Sequence, residues 1–353
     1  MRAVVVRGPN DFGLEDVPEP TPGDYEALVR ISHCGICTGT DRHIIAGPEH
    51  FPRMQPLPTI LGHESIGRIT AVGPKVRYLR EGDQVLRPGA VRYGETLGGF
   101  SGSFGGMAEW GLVADARAII EDTSRSEEPR LPRYALSQQI VPPDFDPVGA
   151  GMFITFKETL SWAQDFGVGV GSRVAVIGTG GVGICLMRAC KLLGAATVVA
   201  VGRRDWPLQQ AHDQGADATV NTAAQDLLAE VRAATADRLC THVVDAVGDN
   251  AVLQQGIVLL ADGGRLGQYG IPPSRRTDLD WSAAPRNVSL HFINPGEARV
   301  HDLALGWMRI GLFDPLALVE LVLPVEEVHQ AFDLLEKRYA GRITLAIAES
   351  SAP

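Results

Sequence analysis

Residues 173–194, RVAVIGTGGVGICLMRACKLLG, run from a short β-branched stretch through three glycines spaced G-x-G-x-x-G into an apolar helical segment. The spacing alone is a weak signal; the strand before it and the helix after it give it meaning. In that setting Gly178 permits a tight turn and Gly180 lets a pyrophosphate approach the backbone. Gly183 lets the helix close against the strand, and Gly181 and Val182 complete a loop at a helix N-terminus that faces phosphates. The motif predicts a dinucleotide site.

Outward from it, residues 149–294 alternate apolar runs with helical segments: RVAVIG, ICLMRACKLLG, TVVAVG, PLQQAHDQG, ATVN, AQDLLAEVRAAT, THVVDAVG, NAVLQQGIVLLA, GRLGQYG and VSLHFIN. Strand–helix alternation at this spacing predicts a parallel sheet covered on both faces, a doubly wound α/β domain. The second strand, TVVAV, ends in Gly202-Arg203-Arg204 where a carboxylate would accept the adenosine ribose and repel a 2′-phosphate. A small residue followed by two guanidiniums suits a phosphate dianion, and hence NADP. The alternative is that both arginines are solvated and Asp205 reaches the ribose.

Before this region, residues 1–114 hold short alternating runs (RAVVV, EALVRIS, SIGRITAVG, DQVLR, AEWGLV) between Gly/Pro turns, which predict a β-rich, barrel-like domain. After it, residues 295–353 hold two helical segments and a last strand, RITLAIA, too small to stand alone and therefore assigned back to the first domain. The expected division is 1–148 with 295–353, and 149–294. A length of 353 residues agrees with two domains. Residues 122–133, DTSRSEEPRLPR, read as a solvated loop.

With 32 Lys+Arg against 42 Asp+Glu and no block of like charge, a general nucleic-acid or acidic-membrane binder is disfavoured. The N-terminus turns polar after six residues, and no segment reaches the roughly 18 apolar residues of a spanning helix, so a cytoplasmic protein is expected. Five cysteines are too few and too uneven for a disulfide framework, which leaves reduced thiols or a metal ligand among them.

One such ligand stands in HCGICTGTDRH, residues 33–43, with Gly62-His63-Glu64 following 26 residues after Cys37. Thiolate and imidazole suit zinc, and an adjacent carboxylate can ligate or orient. Cys-x25-His says little by spacing alone. Cys34, Cys185 and Cys190 read as packed core residues. His50, His212, His242, His291, His301 and His329 have no partner at ligand spacing. Phe104 and Trp110 are divided evenly between pocket lining and core.

The words around these residues carry a resemblance. GIC-TGTDRH, LGHESIGRITAVG, REGDQV, GGMAEWGLV, VGSRVAVIGTGGVG and LPVEEVHQAFDLLEKRYAGRITL resemble the zinc-dependent medium-chain alcohol/polyol dehydrogenases over nearly the whole chain. The resemblance implies a GroES-like β-barrel catalytic domain with a Rossmann cofactor domain, commonly as homodimers or homotetramers. It implies Cys37 and His63 as catalytic zinc ligands, with Glu64 as the neighbouring acid able to join them. Thr40 matches the hydroxyl that bonds the substrate alcohol, His43 the relay histidine, and Asp41 an acid behind them. Gly202-Arg203-Arg204-Asp205 is similar to NADP-using glucose dehydrogenases. The implied activity is hydride transfer between NADP and a secondary alcohol, polyol or sugar, with neither nucleic acid nor membrane as partner.

Three departures from the family bear on that reading. One extra residue stands between Cys37 and the Thr40-Asp41 pair. The third ligand should fall near Ile154 or Thr155, neither of which can serve, with Glu158 a helical turn further on. The four-cysteine structural zinc lobe is missing, since no cysteine occurs from Thr38 to Ile184. A zinc-free quinone or enoyl reductase on the same fold, or a non-catalytic cofactor-binding protein, are the competing readings.

Overall fold

The computed structural model describes residues 1–51, 54–123, 127–272, 276–337 and 341–348. The chain divides into two compact units, Met1–Ile154 with Asp314–Pro353, and Thr155–Phe313. In chain order come β1 (Arg2–Gly8), β2 (Asp11–Asp16), β3 (Glu26–Gly35), α1 (Asp41–Ala46), β4 (Thr59–Ile60) and β5 (Glu64–Val72). There follow β6 (Gln84–Leu86), β7 (Ser101–Gly102), β8 (Trp110–Ala114), α2 (Ala116–Asp122), β9 (Ile140–Val141) and α3 (Ala150–Asp165). Next are β10 (Arg173–Ile177), α4 (Gly181–Leu192), β11 (Thr197–Gly202), α5 (Asp205–Asp213), β12 (Ala218–Asn221) and α6 (Leu227–Ala234). The remainder are β13 (Cys240–Asp245), α7 (Asn250–Ile257), β14 (Leu260–Gln268), β15 (Ser289–Phe292), α8 (His301–Arg309), β16 (Leu321–Pro324), α9 (Val328–Glu336) and β17 (Ile343–Ala346).

The second unit holds a six-stranded sheet in the order β12-β11-β10-β13-β14-β15, every pair parallel. Its central strands carry runs such as residues 174–176 and 198–200, fully buried because helices cover both faces. Asp226 and Asp249 cap α6 and α7, accepting hydrogen bonds from the amides of Ala229 and Ala251 at 2.7 and 2.8 Å. On β14, a Cβ at Gly267 would stand 2.5 Å from the Trp162 ring, so glycine there lets α3 lie flat on the sheet.

His242 on β13 is 7% exposed, packed edge-on to Phe166 with ring centroids 5.1 Å apart, and its Nε2 has no hydrogen-bond partner among the described residues. Burial, and then the positive charge of Arg265, pushes its imidazole down to about 4. An unfolded histidine titrates near ~6.5, so between these values the unfolded chain holds the extra proton and acid favours unfolding. Stability is therefore expected to fall by on the order of 3 kcal/mol from this group as pH drops from 7 to about 4. Denaturant midpoints across that window should slope less in His242→Gln; equal slopes would remove the attribution.

The first unit contains two sheets, β2-β1-β4-β7 and β16-β17-β3-β5-β6-β9, with β8 paired to β3. The C-terminal strand β17 runs antiparallel to β3 with Leu345 opposite Cys34, and α9 contributes Phe332 and Leu335 to a core shared with Val4, Val6, Ile31 and Leu61. That burial ties residues 314–337 and 341–348 to the N-terminal strands, whereas residues 295–313, expected with the first domain, fall in the second unit. Strand β2, DFGLED, turns Phe12 and Leu14 toward the core and pairs with β1 at the sheet edge, where Arg7 bridges Asp11 and Glu15.

Residues 127–133 are mostly exposed, as the solvated-loop reading expects. Asp122 ends α2 and accepts hydrogen bonds from Arg77 and the Tyr25 hydroxyl, while residues 130–133 border a cavity. Residues 124–126 lie outside the described residues. Among the described residues no helix is long and apolar enough to cross a membrane.

Candidate active site

Strand β3 ends at Gly35, and the chain leaves it through Ile36 and Cys37 into a turn. The Cys37 carbonyl accepts hydrogen bonds from the amides of Thr40 at 3.2 Å and Asp41 at 2.8 Å, so the extra residue before Thr40 is absorbed in the turn that starts α1. Asp41 is wholly buried; its Oδ2 accepts the Cys37 amide at 2.9 Å, and its Oδ1 stands 3.7 Å from His63 Nδ1. That carboxylate thus holds the cysteine backbone with one oxygen and faces the histidine with the other.

Gly62 turns the chain to aim His63 and Glu64. It has φ +95°, and a Cβ there would come within 2.6 Å of the Met107 amide nitrogen, so side chains are excluded on two grounds. The ligand atoms of Cys37, His63 and Glu64 all lie within 4.8 Å of one another. Sulfur, imidazole nitrogen and carboxylate oxygen are donors zinc accepts, so the residues present fit that ion. His63 Nδ1 and Asp41 Oδ1 are both buried without a hydrogen-bond partner among the described residues. Burial opposes a charged His63 ring, but the Asp41 carboxylate and the Cys37 sulfur outweigh it and raise the imidazole well above its ordinary value.

Sequence reasoning missed what holds Glu64. Arg342, brought in just before β17, donates from Nη1 to both carboxylate oxygens at 3.3 Å and to the Ile36 carbonyl at 2.9 Å. Ideal Cβ atoms at Gly35 and Gly151 would lie 2.5 and 2.8 Å from Glu64 Oε2, so two glycines make the cradle in which that carboxylate sits. The one available signal was a lone arginine entering an otherwise apolar closing strand.

Thr40 is buried at the N-cap of α1 with its hydroxyl unused by the helix, and His43 lies one turn on, half-buried, with Nδ1 against the Gly39 carbonyl. Cys34 is fully buried and its thiol is pushed well up by burial, as a packed strand residue should be. Cys190 and Cys240 are likewise pushed up to about 12. His301 is buried, with Nδ1 3.4 Å from Lys157 Nζ. At the expected third-ligand position, Ile154 is core, while Thr155 and Glu158 belong to the second unit. Among the described residues, the cluster with ligand spacing is confined to Cys37, His63 and Glu64.

A cavity of about 370 Å³ in the first unit opens onto His63. The Phe104 ring lies 4.8 Å from His63 and 5.3 Å from Tyr134, which settles Phe104 as a pocket wall. Arg87 donates to the His63 carbonyl at 2.8 Å. Arg87, Phe104 and Tyr134 all line this cavity and all have left-handed backbones, with φ of 59°, 75° and 74°. Each such residue costs about 1–3 kcal/mol, so three around one cavity mark a wall held in shape by the surrounding packing.

In the second unit the glycine loop is built as the motif requires. Gly178 has φ +119°, and a Cβ at Gly183 would stand 1.9 Å from the Gly178 carbonyl oxygen. Gly180 is the N-cap of α4; a Cβ there would meet nothing within 4 Å, and glycine offers no side chain to the helix amides. Gly181, Val182 and Gly183 form the first turn of α4. Gly202 ends β11 and Arg203 and Arg204 follow on the surface. Asp205 Oδ1 accepts a hydrogen bond from Asn221 Nδ2 at 2.6 Å.

Comparison with known proteins places this geometry. The Alcohol dehydrogenase GroES-like domain model matches residues 23–121, and the Zinc-binding dehydrogenase model matches residues 181–294. An alcohol dehydrogenase of Cupriavidus necator is 29% identical, covering 98% of this chain and 98% of that one. Benzyl alcohol dehydrogenase from Acinetobacter calcoaceticus shares the fold with a TM-score of 0.81 at 20% identity, over 98% of this chain and 99% of that one. A zinc-binding dehydrogenase from Sinorhizobium meliloti, bound to NADP, shares it with a TM-score of 0.76 at 23% identity, over 98% of each chain. The two matched domain models and the alcohol dehydrogenase relatives mark an oxidoreductase of the alcohol dehydrogenase class. The chain belongs to the zinc-dependent medium-chain dehydrogenase family.

Proposed function

We propose that this chain is an NADP-dependent oxidoreductase that transfers a hydride between the nicotinamide and a secondary alcohol, polyol or sugar, assisted by one zinc held by Cys37, His63 and Glu64. The observation that carries the reading is the convergence of those three ligand atoms within 4.8 Å. Zinc held there would polarise the substrate oxygen and lower the alcohol's pKa. Thr40 then accepts the hydrogen bond of the substrate hydroxyl, and the His43 imidazole passes its proton outward. Asp41 positions both ligand-bearing segments through the Cys37 amide and the His63 ring.

For the cofactor, Gly178, Gly180, Gly181, Val182 and Gly183 hold the pyrophosphate, and Gly202, Arg203 and Arg204 read the 2′-phosphate. The choice rests on the two exposed guanidiniums that follow Gly202, where a carboxylate would select the ribose hydroxyls of NAD. A bidentate phosphate contact is worth about 1.5–3 kcal/mol, so Arg203→Ala is expected to weaken NADP binding roughly ten- to a hundredfold and leave NAD nearly unchanged. Cofactor fluorescence titration reads this; equal affinity of the unsubstituted protein for both nicotinamides would exclude a role for the arginines.

The deciding experiment is metal analysis of the purified protein together with turnover of alcohols, polyols and sugars with both nicotinamides, before and after chelation. Loss of turnover on chelation and recovery with zinc are expected. Full turnover of a metal-free sample would move the protein to the zinc-free reductase reading, which the missing third ligand favours. We also propose a cytoplasmic dimer or tetramer; light scattering that gives the mass of one chain would overturn the assembly.

A further inference from the structure

The cavity beside His63 is cationic in an acidic chain. Arg87, Arg92, Arg130 and Arg133 line it against the carboxylates of Glu26 and Glu95, whereas the whole sequence has ten more acidic than basic residues. A concave site of one sign in a chain of the other concentrates ligands of opposite charge. Arg92 is already neutralised, with Nε 2.9 Å from Glu26 Oε1 and Nη1 3.6 Å from Glu95 Oε2. Arg133 is held differently.

Its guanidinium carbon lies 4.2 Å from the Tyr93 ring centroid and 5.2 Å from that of Tyr134, and no carboxylate is paired with it among the described residues. The two rings make cation–π contacts with the exposed guanidinium and leave its N–H donors open to a ligand. Such a group can bind a carboxylate or phosphate through two parallel N–H donors. Tyr134 in turn reaches Phe104, and Phe104 reaches His63, so a single aromatic wall runs from the arginine to the candidate metal ligands. Tyr134 and Phe104 are both in left-handed backbone conformations, so the wall is imposed by the fold rather than by local preference.

We propose that Arg133 determines specificity by binding the anionic group, carboxylate or phosphate, of a hydroxy substrate whose carbinol lies at Cys37, His63 and Glu64. This rests on the dehydrogenase reading of those residues. In the reaction the carbinol C–H leaves as hydride to the nicotinamide, the O–H proton goes to solvent, a C=O bond forms, and the anionic group stays unchanged.

The test uses the full zinc-loaded chain and secondary alcohols that end in a carboxylate, the matching amide or a phosphate monoester, with a graded number of intervening carbons. At one chain length or more, kcat/KM for a charged substrate should exceed that for the amide by at least about tenfold, and Arg133→Ala should reduce that ratio by about tenfold or more, with Arg133→Lys in between. Preference confined to the carboxylates or to the phosphates identifies the group. A ratio near unity at every length, or one unmoved by Arg133→Ala, overturns the inference. Calorimetry with succinate and inorganic phosphate separates the two readings. If no alcohol turns over but one of these anions binds saturably and is lost in Arg133→Ala, the dehydrogenase reading falls and the anion site stands. If neither binds and no alcohol turns over, both fall.

Discussion

Cys37→Ser protein is expected to purify without stoichiometric zinc and to lose turnover by about 10³-fold or more, since metal assistance is worth several kcal/mol and each 1.36 kcal/mol is about tenfold in rate. A serine hydroxyl neither ionises near neutral pH nor offers the soft thiolate that zinc prefers. The backbone at residue 37 is tied to Asp41 Oδ2 through its amide, so the substitution should leave the turn and α1 intact. His43→Ala provides the contrast: it should keep the metal and slow turnover by about 10²–10⁴-fold, the usual range for a lost proton-transfer group. Metal content by elemental analysis and turnover on the same samples read both. A Cys37→Ser protein that turns over normally would remove zinc from the mechanism.

Gly183→Ala is expected to abolish measurable dinucleotide binding and to lower the stability of the second unit by about 3 kcal/mol or more. A methyl group there would stand 1.9 Å from the Gly178 carbonyl oxygen and 2.9 Å from its carbon, both backbone atoms that no rotamer change can move. Helix α4 must therefore lift from β10 and carry the loop with it. Gly180→Ala separates packing from binding: no atom lies within 4 Å of its Cβ direction, so its thermal melt should match the unsubstituted protein while its cofactor affinity falls. A Gly183→Ala protein that melts and binds NADPH normally would show that the loop is more pliable than this packing allows.

The doubly wound sheet was legible because its signals are local. Runs such as RVAVI and TVVAV are apolar on both faces over a whole strand, and the glycines sit where a tight turn and a close helix demand them. Strands β2, β4, β7 and β9 were not legible, being two to six residues long and partly polar, with pairing supplied by neighbours far along the chain. Cys37, His63 and Glu64 could be named in advance because the words around them are recognisable; twenty-five intervening residues carry no geometric information.

The sequence by itself determined the types of element, the glycine loop and the donors of the candidate metal cluster, because propensity, periodicity and turn chemistry act over a few residues. Tertiary structure alone decided that Arg342 grips Glu64 across 278 positions, that Gly35 and Gly151 make room for that carboxylate, and that Asp41 spans Cys37 and His63. It also set residues 130–134, which stay largely solvent-facing as their composition reads, beside a cavity that composition does not announce. Composition reports how much water a segment tolerates; which side chains meet is set only when the whole core packs and close-packed neighbours leave each of them one place to go.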